Sequence, residues 1–168
     1  MNAKTEEASL ILRLYETRRE KKFRKARLWY AVEFNPQSAQ DIIDLMRSGH
    51  PQSAAYRMVT TYWEMAAAFV NAGAIDAQLF HAANTEHMVT FAKLEPFIDE
   101  VRAAFGLPQY LGELEKLATG APNAKEFFEK MRGLLKHWGE VYQRGEKSGR
   151  INPRKRLIEE SGSSATST

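Results

Sequence analysis

The sequence predicts an all-α protein, a compact bundle of about six or seven helices with a long N-terminal helix. Two observations lead to this class: apolar residues recur at helical spacing in successive segments, and no stretch alternates with the period of a β-strand. The chain has 168 residues, of which 43% are hydrophobic, so it can bury a sizeable core in one domain. We assign that domain to residues 1–145. We expect residues 146–168, which are basic and then rich in Ser and Thr, to be a disordered tail.

The first helix is expected over about residues 5–31, which contain neither Gly nor Pro. Its apolar stripe is narrow because Arg19 falls in line with the apolar positions. We therefore expect this helix to pack against the bundle or against a second chain. The segment also holds a dense group of cations: Arg18, Arg19, Lys21, Lys22, Arg24, Lys25 and Arg27.

The clearest helical periodicity lies in residues 53–80, which we interpret as a central helical hairpin. Its stripe consists of seven apolar residues: Ala55, Val59, Tyr62, Trp63, Ala66, Phe69 and Val70. Gly73 is placed to end the first helix, since glycine readily adopts the left-handed conformation required there. Asp76 fits the N-cap of the second helix. We expect Trp63 to be a buried structural residue.

Further helices lie on both sides of this hairpin. Ser38 and Asp41 have the spacing of a capping box and predict a short helix before it. A short amphipathic helix is expected over residues 111–118. The last long helix is predicted to begin at Asn123. Its expected inner face consists of Phe127, Met131, Leu134, Leu135, Trp138 and Val141.

The segment from Asn84 to Phe105 contains a proline, Pro96, inside a helical pattern. Proline removes a backbone donor and usually kinks or ends a helix. The apolar residues nevertheless keep their helical phase on both sides of Pro96. We therefore expect one kinked helix here in preference to two separate ones.

The composition excludes several kinds of chemistry. Because the chain has no cysteine, it has no disulfides, thiolate metal sites or cysteine nucleophiles, and a reducing compartment is favoured. No secretory signal and no run of the ~18–20 apolar residues that span a bilayer is visible. The net charge of +3 is too small to indicate a partner by itself. We expect a soluble, cytoplasmic protein without a transmembrane segment.

The four histidines do not form a recognisable metal motif. A helical di-iron site requires carboxylates on four helices, two of them in Glu-x-x-His spacing, and that spacing does not occur. His137 and Glu140 have the reverse order on a face that looks exposed. We therefore predict no metal or cofactor and interpret the histidines as surface or boundary residues.

Tyr62 and Glu64 are the polar residues that we would examine first for a small-ligand pocket. A carboxylate next to Trp63 in the most apolar helix could have a raised pKa and act as an acid or a base. The structural alternatives are an ion pair with an arginine such as Arg102, or simple exposure. No Ser-His-Asp arrangement and no Gly-rich phosphate loop can be recognised, so a catalytic role is disfavoured.

A set of short signatures resembles a known family. They are Tyr62-Trp63-Glu64, Gly73, Ile75-Asp76, Leu79-Phe80, Leu94, Pro96-Phe97-Ile98 and Arg102. The pattern is similar to an uncharacterised bacterial family of all-helical domains of unknown function, over roughly residues 41–117. The resemblance implies an all-helical domain and carries over no catalytic residue. Some members have an N-terminal membrane anchor, which this chain does not show.

Three functional hypotheses remain open. The first is a non-catalytic binding or scaffold module that acts through self-association, most simply as a homodimer. The second is contact of nucleic acid or an anionic lipid surface with the basic segment 18–27, for which the alternative is a solvated helix face. The third is a small-ligand site or enzyme centred near Glu64.

Overall fold

A computed structural model describes residues 3–148, and every element of secondary structure in that range is a helix. The predicted all-α class is therefore confirmed. The helices are α1 (Ala3–Arg19), α2 (Lys21–Val32), α3 (Ala39–Arg47), α4 (Pro51–Asn71), α5 (Ala77–Ala83), α6 (Glu86–Ala92), α7 (Ile98–Phe105), α8 (Gly112–Thr119) and α9 (Ala124–Lys147). The predicted tail begins inside the last turn of α9, and its residues 149–168 lie outside the described residues.

Helix α4 lies at the centre of the fold, where it contacts α2, α3, α5, α6 and α8. Trp63 is only 1% exposed, which confirms that it is a core residue. Ala66 and Ala67 are fully buried, and their small side chains allow neighbouring helices to approach closely. The rings of Tyr62 and Trp63 meet edge to face at 4.9 Å. These contacts make α4 the support on which α2, α3, α5, α6 and α8 pack.

The helix ends predicted around α4 are confirmed. Gly73 has a φ of +77°, the left-handed conformation that ends α4. The Asp76 carboxylate accepts a hydrogen bond from the backbone N–H of Leu79 at 2.8 Å and so caps α5. At α3 the Ser38 and Asp41 side chains form a complete capping box.

The single helix predicted over about residues 5–31 is two helices, divided at Glu20, whose ψ of 139° is extended. The reason lies in the positions of Leu14 and Phe23, which are both buried. They are nine residues apart, about two and a half helical turns, so a straight helix would direct them to opposite sides. The break allows both to enter the core.

The prediction of one kinked helix across Pro96 is also wrong, since α6 ends at Ala92 and α7 begins at Ile98. Pro96 has no N–H to continue the helical ladder. The intervening chain forms turns, in which the N–H groups of Leu94 and Glu95 both donate to the carbonyl of Phe91. These hydrogen bonds span three and four residues, as in 3₁₀- and α-helices, so the turn preserves the helical phase of the apolar residues on both sides of it.

The inner face predicted for α9 is only partly correct. Leu135 is buried, and Phe127 and Met131 are partly buried against the core. Three of the six predicted residues are instead exposed at the surface: Leu134 (38%), Trp138 (46%) and Val141 (45%). Helix α9 packs against α2, α6 and α8, and these neighbours leave one side of it uncovered. We call the three exposed residues the α9 stripe.

Candidate functional site

Glu64 caps a neighbouring helix. Its two carboxylate oxygens accept hydrogen bonds from the backbone N–H groups of Glu113 (3.1 Å) and Leu114 (2.7 Å), in the first turn of α8. A carboxylate here satisfies donors that have no partner within α8 and interacts favourably with the helix dipole. Arg102, the ion-pair partner considered from the sequence, bonds instead to Glu115. Glu64 thus joins α4 to α8.

Tyr62 also has a structural partner, because its hydroxyl donates a 2.6 Å hydrogen bond to the backbone carbonyl of Leu14 in α1. Burial raises the pKa of Tyr62 to about 12, so the hydroxyl stays protonated at neutral pH. The ring packs on Phe23 at 4.7 Å. A ligand near Tyr62 and Glu64 would have to replace these hydrogen bonds, and the ligand role of the pair stays a prediction.

The basic segment divides into two groups, and the first points inward. Arg27 forms a two-point contact with Glu86 of α6, in which its Nε lies 2.6 Å from Oε1. The Nη1 of Arg18 lies 3.5 Å from Oε2 of Glu86 and 3.1 Å from the amide oxygen of Asn84. The Arg18 guanidinium also lies over the Trp63 ring at 5.4 Å. These two arginines fix α1 and α2 to α6.

The other five residues of the segment are exposed at the junction of α1 and α2. They are Arg19, Lys21, Lys22, Arg24 and Lys25. Lys21 and Lys25 are one helical turn apart and lie on the same side of α2. Of the seven cations in the predicted contact segment, two therefore point toward the interior of the fold and five are exposed at its surface.

The interpretation of the histidines as surface or boundary residues is wrong for His87, which pairs with His81 beside Trp63. The Nε2 of His87 lies 3.1 Å from the Nδ1 of His81, and the His87 ring is fully buried against Trp63 and Phe80. Burial, together with the nearby His81, lowers the pKa of His87 to about 3. Burial also lowers the pKa of His81. The pair is therefore neutral at pH 7, with one ring nitrogen donating to the other.

Three buried polar atoms in this region make no hydrogen bond within the described part of the chain. They are Nε of Arg18, Nε1 of Trp63 and Nδ1 of His87. A buried polar group without a partner costs about 1–3 kcal/mol. The surroundings of Trp63 therefore combine close apolar packing with polar groups that are only partly satisfied.

Lys93 forms a second internal polar contact that sequence analysis missed. Its ammonium donates to the backbone carbonyls of Tyr30 (2.7 Å), Ala31 (2.9 Å) and Phe34 (2.5 Å), at the carboxyl end of α2. Burial lowers the pKa of Lys93 to about 8, so the side chain is still mostly protonated at pH 7. A cation at this position stabilises unpaired carbonyls and the negative end of the helix dipole.

A pocket of about 230 Å³ lies beside Lys93, between the end of α2, the turn after α6 and α9. Its lining residues are Asn35, Pro36, Gln37, Lys93, Phe97, Arg132, Leu135 and Lys136. Three of these side chains are basic and none is acidic. We call this feature the cationic pocket.

Residues 3–148 lack two kinds of functional element, a metal cluster and a membrane span. No three His, Asp or Glu side chains there come together in a way that could hold a metal ion. Within the same residues, no helix is both long and apolar enough to cross a bilayer.

The fold and these contacts define an all-helical protein in which several polar side chains, among them Arg27, Glu64 and Lys93, join one helix to another. A family model described as a domain of unknown function, DUF4760, matches residues 4–121, more than two thirds of the chain. The chain therefore belongs to that family, which confirms the resemblance to an all-helical domain of unknown function. No curated protein and no solved structure matches this chain. Helix α9, with its stripe and one wall of the cationic pocket, lies beyond the matched residues.

Proposed function

We propose that the protein is a non-catalytic binding module that forms a homodimer through the α9 stripe. The observation that carries this proposal is the spacing of Leu134, Trp138 and Val141, which places three large apolar side chains on one exposed side of a helix. Large apolar residues that are contiguous and exposed indicate an interaction surface, whereas isolated ones do not.

The spacing of the stripe also supports a second copy of the chain as the partner. Leu134 lies four residues before Trp138, and Val141 lies three residues after it. Two antiparallel α9 helices that cross at Trp138 would therefore set Leu134 of each copy near Val141 of the other. A two-fold contact of this kind needs only one self-complementary surface on each subunit.

The expected dimer is weak, because one helix face buries less surface than the ~1,200 Å² typical of stable interfaces. Light scattering at increasing micromolar concentrations should give a mass that rises from that of a monomer to that of a dimer. The double variant Leu134→Glu, Val141→Glu should remain a monomer. The matched control is Leu107→Glu, at an exposed leucine in the turn after α7, and it should dimerise like the wild type.

Two results would contradict this assignment. A monomer mass that persists for the wild type at every concentration would exclude the dimer. A double variant that still dimerises would exclude the α9 stripe. Leu12 and Tyr15 in α1 are also exposed, so Leu12→Glu tests whether self-association uses α1 instead.

The second candidate function is contact of nucleic acid or anionic lipid with the α1–α2 junction. It is favoured by the exposure of five neighbouring cations, among which Glu20 is the one acid. The triple variant Lys21→Glu, Lys22→Glu, Lys25→Glu should abolish binding to labelled DNA, RNA or anionic vesicles at low salt. Each lost phosphate contact should reduce the salt slope of log K by about one. If binding survives charge reversal, this surface is not responsible.

Two further expectations from the sequence stay predictions. They are the bacterial origin and the cytoplasmic location, the second of which rests on the absence of cysteine. Fractionation of cells that express the tagged chain would test the location.

A further inference from the structure

The cationic pocket has walls of two chemical kinds. Pro36, Phe97 and Leu135 provide apolar surface, and Asn35 and Gln37 provide amide groups. Lys93, Arg132 and Lys136 bring three positive charges. No acidic side chain is among the lining residues, although Glu95 behind the wall pairs with Arg132. Small-ligand sites in proteins share this design, in which an apolar cavity holds a few polar groups that orient the ligand.

Lys93 contributes charge to this pocket but no free hydrogen-bond donor. An ammonium group has three N–H donors, and those of Lys93 are directed to three carbonyls at the end of α2. These carbonyls also offset part of its charge. Lys93 therefore shapes and fixes the wall, and donors to a ligand must come from other residues.

Arg132 is the residue that can supply them. Its Nη1 donates to the carbonyl of Ala92 (3.1 Å) and to Glu95 (3.0 Å), which holds the guanidinium in place at the pocket. A guanidinium has five N–H donors in a planar fork, so Nε and Nη2 remain for a planar anion. Lys136 lies one helical turn further along α9 on the same side and is exposed.

We propose that the cationic pocket binds a small organic anion. Its carboxylate or phosphate group is held by Arg132 and Lys136, and its body lies against Phe97 and Leu135. A volume of about 230 Å³ is below the usual range for drug-sized ligands, which selects a compact molecule. This site is independent of the proposed dimer, because Lys136 and Leu134 are two residues apart and point in different directions from α9.

Calorimetric titration of the full chain tests this proposal with three probes: phenyl phosphate, benzoate and neutral benzyl alcohol. Saturable binding of either anion at millimolar concentration, without comparable binding of benzyl alcohol, is expected. Arg132→Gln should weaken anion binding about tenfold or more, the effect of losing a charge-assisted hydrogen bond. Lys136→Gln should weaken it several-fold.

The control variant is Arg144→Gln, at an exposed arginine of α9 outside the pocket, which should bind like the wild type. Arg132→Gln also removes the bond to Glu95 and could destabilise the fold. Thermal melting of this variant and of the wild type therefore checks that it is folded. Lys136→Gln keeps the test valid if Arg132→Gln fails to fold. The proposal is overturned if neither anion binds, if benzyl alcohol binds equally well, or if Lys136→Gln leaves anion binding unchanged.

Discussion

Helices α4 and α9 have similar apolar periodicity and opposite surroundings. In α4 the stripe is mostly buried, with Trp63 at 1% exposure, although Phe69 at its edge is 40% exposed. In α9 one row of large apolar residues is covered and a second row, containing Trp138, is exposed. The two tryptophans occupy similar positions in their helical patterns but differ greatly in exposure.

The difference arises from the number of neighbouring helices. Helices α2, α3, α5, α6 and α8 pack against α4, and Tyr62 also bonds to α1, so apolar residues around most of its circumference find partners. Three helices contact α9, and they cover one side of it. Helical periodicity describes where side chains point around an axis, whereas burial depends on what lies in that direction. An apolar row without a partner within the chain is therefore the surface that we assign to self-association.

The largest expected effect separates the two tryptophans. Trp63→Ala creates a cavity at the centre of the fold and should lower the free energy of unfolding by ~3–5 kcal/mol. Trp138→Ala should cost much less, about 1–2 kcal/mol at concentrations where the protein is a monomer, because only about half of its side chain is covered. Urea unfolding of both variants measures the two losses in free energy of unfolding. Equal losses would refute the conclusion that Trp63 is a core residue and Trp138 a surface residue.

The pH dependence of the free energy of unfolding compares a histidine buried beside α4 with a histidine exposed on α9. The pKa of His87 is lowered to about 3 in the folded state, from about 6.5 when unfolded. Between these values the unfolded chain binds more protons, so stability falls as the pH decreases through this window. The slope contributed by His87 is at most about 1.4 kcal/mol per pH unit.

Chemical unfolding between pH 6.5 and pH 4.5, roughly the upper part of that window, measures this slope in the wild type and in His87→Phe. The variant should lose less stability than the wild type as the pH falls. His137→Gln, at an exposed histidine of α9, is the control and should retain the wild-type slope. Identical slopes in all three proteins would mean that folding does not lower the pKa of His87.

Two glycines of α9 distinguish its covered side from its open side. A Cβ atom at Gly139 would lie 2.7 Å from the backbone carbonyl oxygen of Val32 in α2, so Gly139→Ala should destabilise the protein by ~1–3 kcal/mol. At Gly133 no atom of residues 3–148 lies within 4 Å of the added Cβ, apart from the adjacent residues and the nearby backbone of α9 itself. Gly133→Ala should therefore stabilise the helix by up to about 1 kcal/mol. Thermal melting should therefore give shifts of opposite sign, and stabilisation by both would show that α9 does not approach α2 this closely.

The smallest expected effect concerns acidic residues at helix ends. Glu64→Gln weakens the cap that α4 provides to α8 and should cost about 1 kcal/mol. Glu126→Gln, at an exposed acid in the first turn of α9, should cost less than about 0.5 kcal/mol. Urea midpoints give both values. A loss for Glu64→Gln no larger than that for Glu126→Gln would show that the Glu64 bonds contribute little.

The amino-acid sequence alone determined the helical class, the central position of α4 and several helix ends. The capping box of Ser38 and Asp41, the cap at Asp76 and the left-handed Gly73 are readable because each depends on residues within about four positions. The burial of Trp63 is readable because its helix has apolar residues on nearly every side.

Tertiary structure alone decided the contacts that define the candidate sites. Lys93 bonds to Tyr30, which is 63 residues away, and Arg27 bonds to Glu86 at a separation of 59 residues. The exposure of Trp138 likewise depends on which helices pack against α9. No local pattern encodes such pairs, because a charged side chain on a helix looks the same in sequence whether it faces water or the end of another helix. Whether a charged side chain is exposed or paired is decided by tertiary packing. Where packing removes water, the buried group must bind a partner or lose its charge.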